Sequence, residues 1–252
     1  MKNPLKAKLK QGKTLLGAFV SLGHPDVSEW LSQLGFDYIL LDMEHSPIDI
    51  NILQQMMQAI KGSDCVPIVR PPTNEPIVIK RILDAGAFGI VIPMVNTRIE
   101  AENAVKACRY PPEGIRGYGP RRAGIFDPEY FRTANKEIFV MVQIETQKGV
   151  ANADEILSVE GIDACEIGHN DLALDMGFSI PPPWNNLRFL EAFDRVAKAA
   201  TKHGVAYGFN YNGDFKKCVA AGCRIIEVGT VDGFLLQGAQ ASLKKVHEAL
   251  GE

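Results

Sequence analysis

The chain has 252 residues, with 27 Lys and Arg against 30 Asp and Glu and a formal charge of -3. A balance so close to neutral leaves no electrostatic footprint for nucleic acid, and no apolar run approaches the roughly 18 residues that would span a bilayer. Five cysteines without a C-x-x-C pair predict reduced thiols in the cytoplasm, not a disulfide framework or a zinc site.

Five lysines fall in the first thirteen residues, before Leu15-Leu16-Gly17-Ala18-Phe19-Val20. That apolar stretch is too short for a signal peptide and lacks a small-x-small cleavage site, so residues 15–22 read as the first strand. Further apolar, β-branched runs follow at residues 37–43, 65–69, 89–95, 138–144, 163–167, 205–209 and 224–228, each preceding an amphipathic stretch such as 186–203. Runs such as Tyr38-Ile39-Leu40-Leu41 are nearly continuous hydrophobics, as expected of parallel strands buried on both faces. Eight βα units predict a single-domain (β/α)8 TIM barrel over residues 1–252. Gly35, Gly86, Gly204 and Gly222 stand where helices should end in left-handed caps. The longest irregular stretch, residues 110–130, is expected to be a lid or an interface element.

In such a barrel, chemistry sits where strands end. Strand two ends in Asp42-Met43-Glu44-His45-Ser46, strand three in Arg70, strand five in Gln143-Ile144-Glu145-Thr146, and strand six in Gly168-His169-Asn170-Asp171. Glu145 and Asp171 come from adjacent strands, and two such carboxylates either hold a hard divalent cation or pair with Arg or Lys. Arg70 offers a charged donor fork for a carboxylate or enolate oxygen, or else a structural ion pair with Asp42 or Glu44. His45 is either a general base or a hydrogen-bonded rim residue. A Schiff-base mechanism needs a lysine in the barrel mouth, and the nearest, Lys148, lies beyond strand five, which favours metal-assisted enolate chemistry.

With these residues in view, the sequence resembles the HpcH/HpaI family of class II, metal-dependent 2-oxo acid aldolases. The resemblance runs through residues 35–45, Val69-Arg70-Pro71, residues 83–87, residues 111–117, Gln143-Ile144-Glu145-Thr146 and residues 168–177. It implies Mg2+, Mn2+ or Co2+ on Glu145 and Asp171, and a 2-oxo acid substrate. It further implies His45 as acid–base with Asp84 as orienting partner, Arg70 steadying the enolate oxygen, and Gln143 beside the metal. The activity implied is reversible cleavage of a 4-hydroxy-2-oxo acid to pyruvate and an aldehyde. A lyase or synthase acting on acyl-CoA or oxaloacetate, or a non-catalytic 2-oxo acid binding barrel, are the alternatives. It also implies a homo-oligomer, a hexamer, with the last helix (residues 234–250) exchanged between subunits. His169 replaces a proline common in the family, and with Asn170 it is a candidate substrate contact; the alternative for His169 is that it points outward. Arg121 and Arg122 are either ligands for a distal carboxylate or solvated loop arginines.

Overall fold

The computed structural model describes residues 2–210 and 213–251. Eight parallel strands close into one barrel in sequence order: β1 (Leu15–Val20), β2 (Tyr38–Asp42), β3 (Val66–Arg70), β4 (Gly89–Ile92), β5 (Phe139–Ile144), β6 (Ala164–Ile167), β7 (Ala206–Asn210) and β8 (Ile225–Thr230). These are the eight runs read from the sequence, with ends shifted by a few residues. Helices connect the strands and cover the outside, so the chain is a single-domain (β/α)8 barrel.

Side chains alternate across the strands. Leu40, Ile68, Val91, Phe139, Met141, Ala164 and Ile225 fill the lumen. Ile39, Leu41, Val69, Ile90, Val140 and Ile167 face the helices. The lumen is therefore a packed core, and the next inward positions toward the strand C-termini include Asp42, Arg70, Gln143, Glu145 and Gly168. A methyl group at Gly17 would collide with the Tyr38 ring, so the missing side chain on β1 lets that tyrosine cross the lumen floor.

Helix Pro4–Lys10 is an element that the lysine-rich start does not advertise. Asn3 accepts from the Leu5 amide at 3.1 Å and Pro4 opens the first turn, a cap-plus-proline start. Leu5 from this helix plugs the N-terminal end of the lumen. The expected glycine caps are present: Gly86 ends helix Pro76–Ala85 at φ 110° and Gly204 ends helix Leu187–His203 at φ 67°.

The 110–130 segment connects helix Arg98–Cys108 to helix Tyr130–Glu137 and so precedes β5. It lies on the face where strands begin, which rules out a lid over this chain's own catalytic rim. Buried Arg116 fixes it, its guanidinium over Tyr110 and donating to Tyr130 Oη at 3.0 Å, while Tyr118 and Ile125 stay exposed. Among the described residues no helix is long and apolar enough to cross a membrane. All five cysteines are free and buried.

Candidate active site

The rim is organised by Asp42. It accepts from Arg70 Nε at 2.8 Å and from Arg70 Nη2 at 2.9 Å, a bidentate buried pair. The same carboxylate accepts from the Glu44 amide at 3.0 Å, and Ser46 Oγ donates to the Asp42 carbonyl. The turn after β2 is thus wound around one aspartate. Glu44 Oε2 reaches Arg70 Nε at 3.1 Å, and burial raises its carboxyl while Arg70 pulls it back down. The ion-pair alternative for Arg70 is therefore realised, yet it does not exhaust the fork: Nη1 is directed to Gln143 Oε1 at 3.4 Å, and the guanidinium lies over Phe19.

Glu145 is 2% exposed. One oxygen accepts from the Met94 amide at 2.7 Å. Met94 is the one non-glycine with positive φ (54°) among the described residues, so a strained loop after β4 is held in place to present that N–H. The other oxygen lies beside Gly168, where a methyl group would run into it. Burial pushes Glu145 up to about 7, with Asp171 and Glu44 adding to the rise and the Met94 amide and Arg70 opposing it. Asp171 sits exposed in the first turn of helix His169–Asp175. Among the described residues no three acidic, histidine or cysteine groups converge as a metal cage. A two-carboxylate site fits a hard cation that keeps most of its positions for water or substrate oxygens, and the buried, destabilised charge of Glu145 is what such a cation would relieve.

His45 is exposed, with Nε2 3.7 Å from Glu44 Oε2. Asp84 is not beside it. Asp84 lies in the last turn of helix Pro76–Ala85, which runs from the C-terminal end of β3 to the start of β4, and it pairs with Arg116 at 2.6 Å. Within one chain the two residues are at opposite ends of the barrel. His169 packs its ring against Trp184 and Phe209 at centroid distances of 5.6 and 6.3 Å, in the layer outside the barrel. His169 is half-buried there, and Asn170 beside it is exposed on the rim. Lys148 is exposed on helix Gln147–Ala151, and no inward-facing strand position is a lysine.

Arg122 donates to the Ala85 and Met57 carbonyls at 2.9 and 3.2 Å, capping the last turns of helices Pro76–Ala85 and Ile50–Ala59. Arg121, exposed, lines a groove with Asp84. Neither reaches this chain's own rim. Arg122→Ala should cost about 2 kcal/mol for two lost hydrogen bonds and lower Tm with substrate ranking unchanged. A lost distal-carboxylate preference at unchanged Tm would show the reverse.

A closed parallel barrel that gathers an arginine, an amide and several carboxylates at its strand C-termini has the layout of a (β/α)8 enzyme. The model of the HpcH/HpaI aldolase/citrate lyase family matches residues 15–238, and the chain belongs to that family. It is 38% identical over 243 residues to a 5-keto-4-deoxy-D-glucarate aldolase of Shigella dysenteriae, covering 94% of each chain. The structure of an HpcH/HpaI aldolase/citrate lyase family protein from Burkholderia cenocepacia superposes with a TM-score of 0.92 at 32% identity, over 98% of this chain and 100% of that one. Citrate synthase SbnG superposes at 0.88 with 28% identity, over 98% and 99%. The protein is accordingly a carbon–carbon lyase of the aldolase type.

Proposed function

We propose that the protein cleaves a 4-hydroxy-2-oxo acid to pyruvate and an aldehyde, reversibly, with a divalent cation on Glu145 and Asp171. The observation that carries the reading is Glu145: a buried carboxylate at the rim, flanked by further acids, while the nearby arginine is already committed to Asp42. Numbered from its keto end, 5-keto-4-deoxy-D-glucarate is itself a 4-hydroxy-2-oxo acid with a second carboxylate, which makes dicarboxylic substrates the first to test.

Bound there, Mg2+, Mn2+ or Co2+ would supply Lewis-acid polarisation of the keto group. Arg70, steered by Asp42 and Glu44, directs its remaining N–H groups at the oxygen that gains negative charge, and Gln143 orders the same region. His45 takes the 4-hydroxyl proton, through water, at the exposed edge of the rim. Asp84 can orient His45 only from a second copy, because its own chain holds it at the far end of the barrel. Asn170 borders the mouth, and His169 braces the helix that carries Asp171.

Assembly as a homo-oligomer, a hexamer, fits two surfaces: Tyr118 and Ile125 on the 110–130 segment, and helix Val231–Leu250, none of whose described residues is buried. Leu235, Leu236, Leu243 and Val246 stand exposed along it, as exchange between subunits would require. Five free thiols fit a cytoplasmic setting.

Turnover should be faster on hydroxy-oxo dicarboxylates, read as pyruvate release, than on acyl-CoA thioesters or on oxaloacetate with acetyl donors, read as loss of the substrate. Turnover of the latter alone would shift the reading toward a synthase, the direction in which the likeness to SbnG points. A pH dependence follows from Glu145. Its folded value, about 7, lies above the ordinary 4.5, so the metal-free fold binds the extra proton between those values. Stability therefore falls as pH rises through that window, by about 3 kcal/mol at most. A bound cation removes the penalty, so Mg2+ should raise Tm more at about pH 8 than at about pH 5.5. Equal shifts at both would contradict it.

A further inference from the structure

Below the rim the lumen holds two carboxyl groups that the proposed reaction does not use. Glu166 on β6 and Glu227 on β8 are buried, and Oε2 of each has no hydrogen-bond partner. β7 separates them with Gly208 at the register of Glu166, so no side chain screens one from the other there. The two are not equivalent. Glu227 Oε1 accepts the Tyr38 hydroxyl at 2.8 Å, a bond that favours the charged form, whereas no side-chain donor reaches Glu166 Oε2.

The charged and titratable groups facing the pair are Tyr38 and Asp42 from β2, Arg70 from β3 and Glu145 from β5, with the thiols of Cys223 beside Glu227 and of Cys165 beside Glu166. β1, β4 and β7 face the lumen with Leu15, Gly17, Phe19, Gly89, Val91, Ala206, Gly208 and Asn210, none of them charged. The inward positions thus carry four acids, Asp42, Glu145, Glu166 and Glu227, against one cation, Arg70. So many buried charges of one sign cannot all persist, and the acid without a donor is the one to be neutral. Burial raises both carboxyls; the Glu227 charge adds to the rise of Glu166 against the pull of Arg70, while the Tyr38 hydroxyl and Arg70 hold Glu227 lower.

We propose that Glu166 holds a proton at neutral pH while Glu227 stays ionised, and that the single negative charge of Glu227 is a positioning element holding the Arg70 guanidinium from below. The Arg70 part rests on the role given to that residue above; the protonation of Glu166 does not. Arg70 would then be balanced between Asp42 and Glu44 at the rim and Glu227 beneath, with its outer N–H groups left for substrate. A second charge on Glu166 would draw the guanidinium downward.

The test compares Glu166→Gln and Glu227→Gln in the full-length, Mg2+-loaded protein. Infrared difference spectra at neutral pH should show the C=O stretch of a protonated carboxylic acid that Glu166→Gln lacks. Calorimetric titration with pyruvate should give Glu166→Gln a Kd within about threefold of the parent, and Glu227→Gln one weakened by about tenfold, the size expected of a lost charge interaction near 1.4 kcal/mol. Absence of the acid band, or its survival in Glu166→Gln, overturns the proton assignment; equal weakening by both variants overturns the positioning role. Failure of the aldolase reading would appear separately, as a parent protein that releases no pyruvate.

Discussion

Glu145→Gln should lower pyruvate release on the order of 10³-fold and leave a protein that, without metal, is more stable than the parent above neutral pH. The two effects have one cause. A carboxamide in place of the carboxylate would still accept the Met94 N–H and still fit beside Gly168, so the packing survives. What disappears is the buried charge, whose cost is relieved in the parent only by a cation. Function here is set against stability, as is common where a site holds a destabilised group. Asp171→Asn separates the effects: Asp171 is exposed, so its loss should reduce metal affinity and rate without a gain in Tm. Circular dichroism melts with and without EDTA, alongside pyruvate release, check both. Unchanged activity in Glu145→Gln would remove the carboxylate from the chemistry.

Arg70→Ala should be the most damaging single substitution at the rim. It strands Asp42 and leaves Glu44 without its partner, and breaking one side of a buried pair costs about 3–5 kcal/mol. The loop of Glu44 and His45 is wound on Asp42, so the loss should spread into that turn and appear as a lower Tm as well as a lost rate. Arg70→Lys distinguishes charge from geometry. A lysine restores the charge and part of the Tm but has no planar fork to hold Asp42 at two points while addressing Gln143 and substrate, so kcat/KM should stay low. Recovery of both by lysine would reduce Arg70 to a counter-ion.

The eight strands were legible because parallel strands buried on both faces leave continuous apolar runs, and glycines mark where several of the helices stop. The rim was legible for a related reason: a polar residue directly after such a run must lie at the strand's C-terminal end. That logic located Asp42, Arg70, Gln143 and Glu145. It also shows where the reading of Asp84 needed a further step, since a residue closing a helix before the next strand belongs to the opposite face. Counting by twos back from Gly168 would have turned Glu166 inward, and the same count places Glu227 inward from Ile225. Nothing in the sequence, however, showed that Tyr38 would reach across Gly17 to satisfy Glu227 and no donor would reach the second oxygen of Glu166. Nor could Met94 have been found: its contribution is a backbone amide at a strained φ, and any side chain could have carried it. His169 was undecidable because its direction depends on Trp184, fifteen residues further along, folding back to meet it.

The most direct test is pyruvate release from a panel of 4-hydroxy-2-oxo acids by EDTA-treated protein, with Mg2+, Mn2+ or Co2+ added back. Release that returns with metal in the parent, and not in Glu145→Gln, is the predicted result. Release that persists after metal is stripped, or that returns equally in Glu145→Gln, would contradict a cation held by this carboxylate as the centre of the reaction.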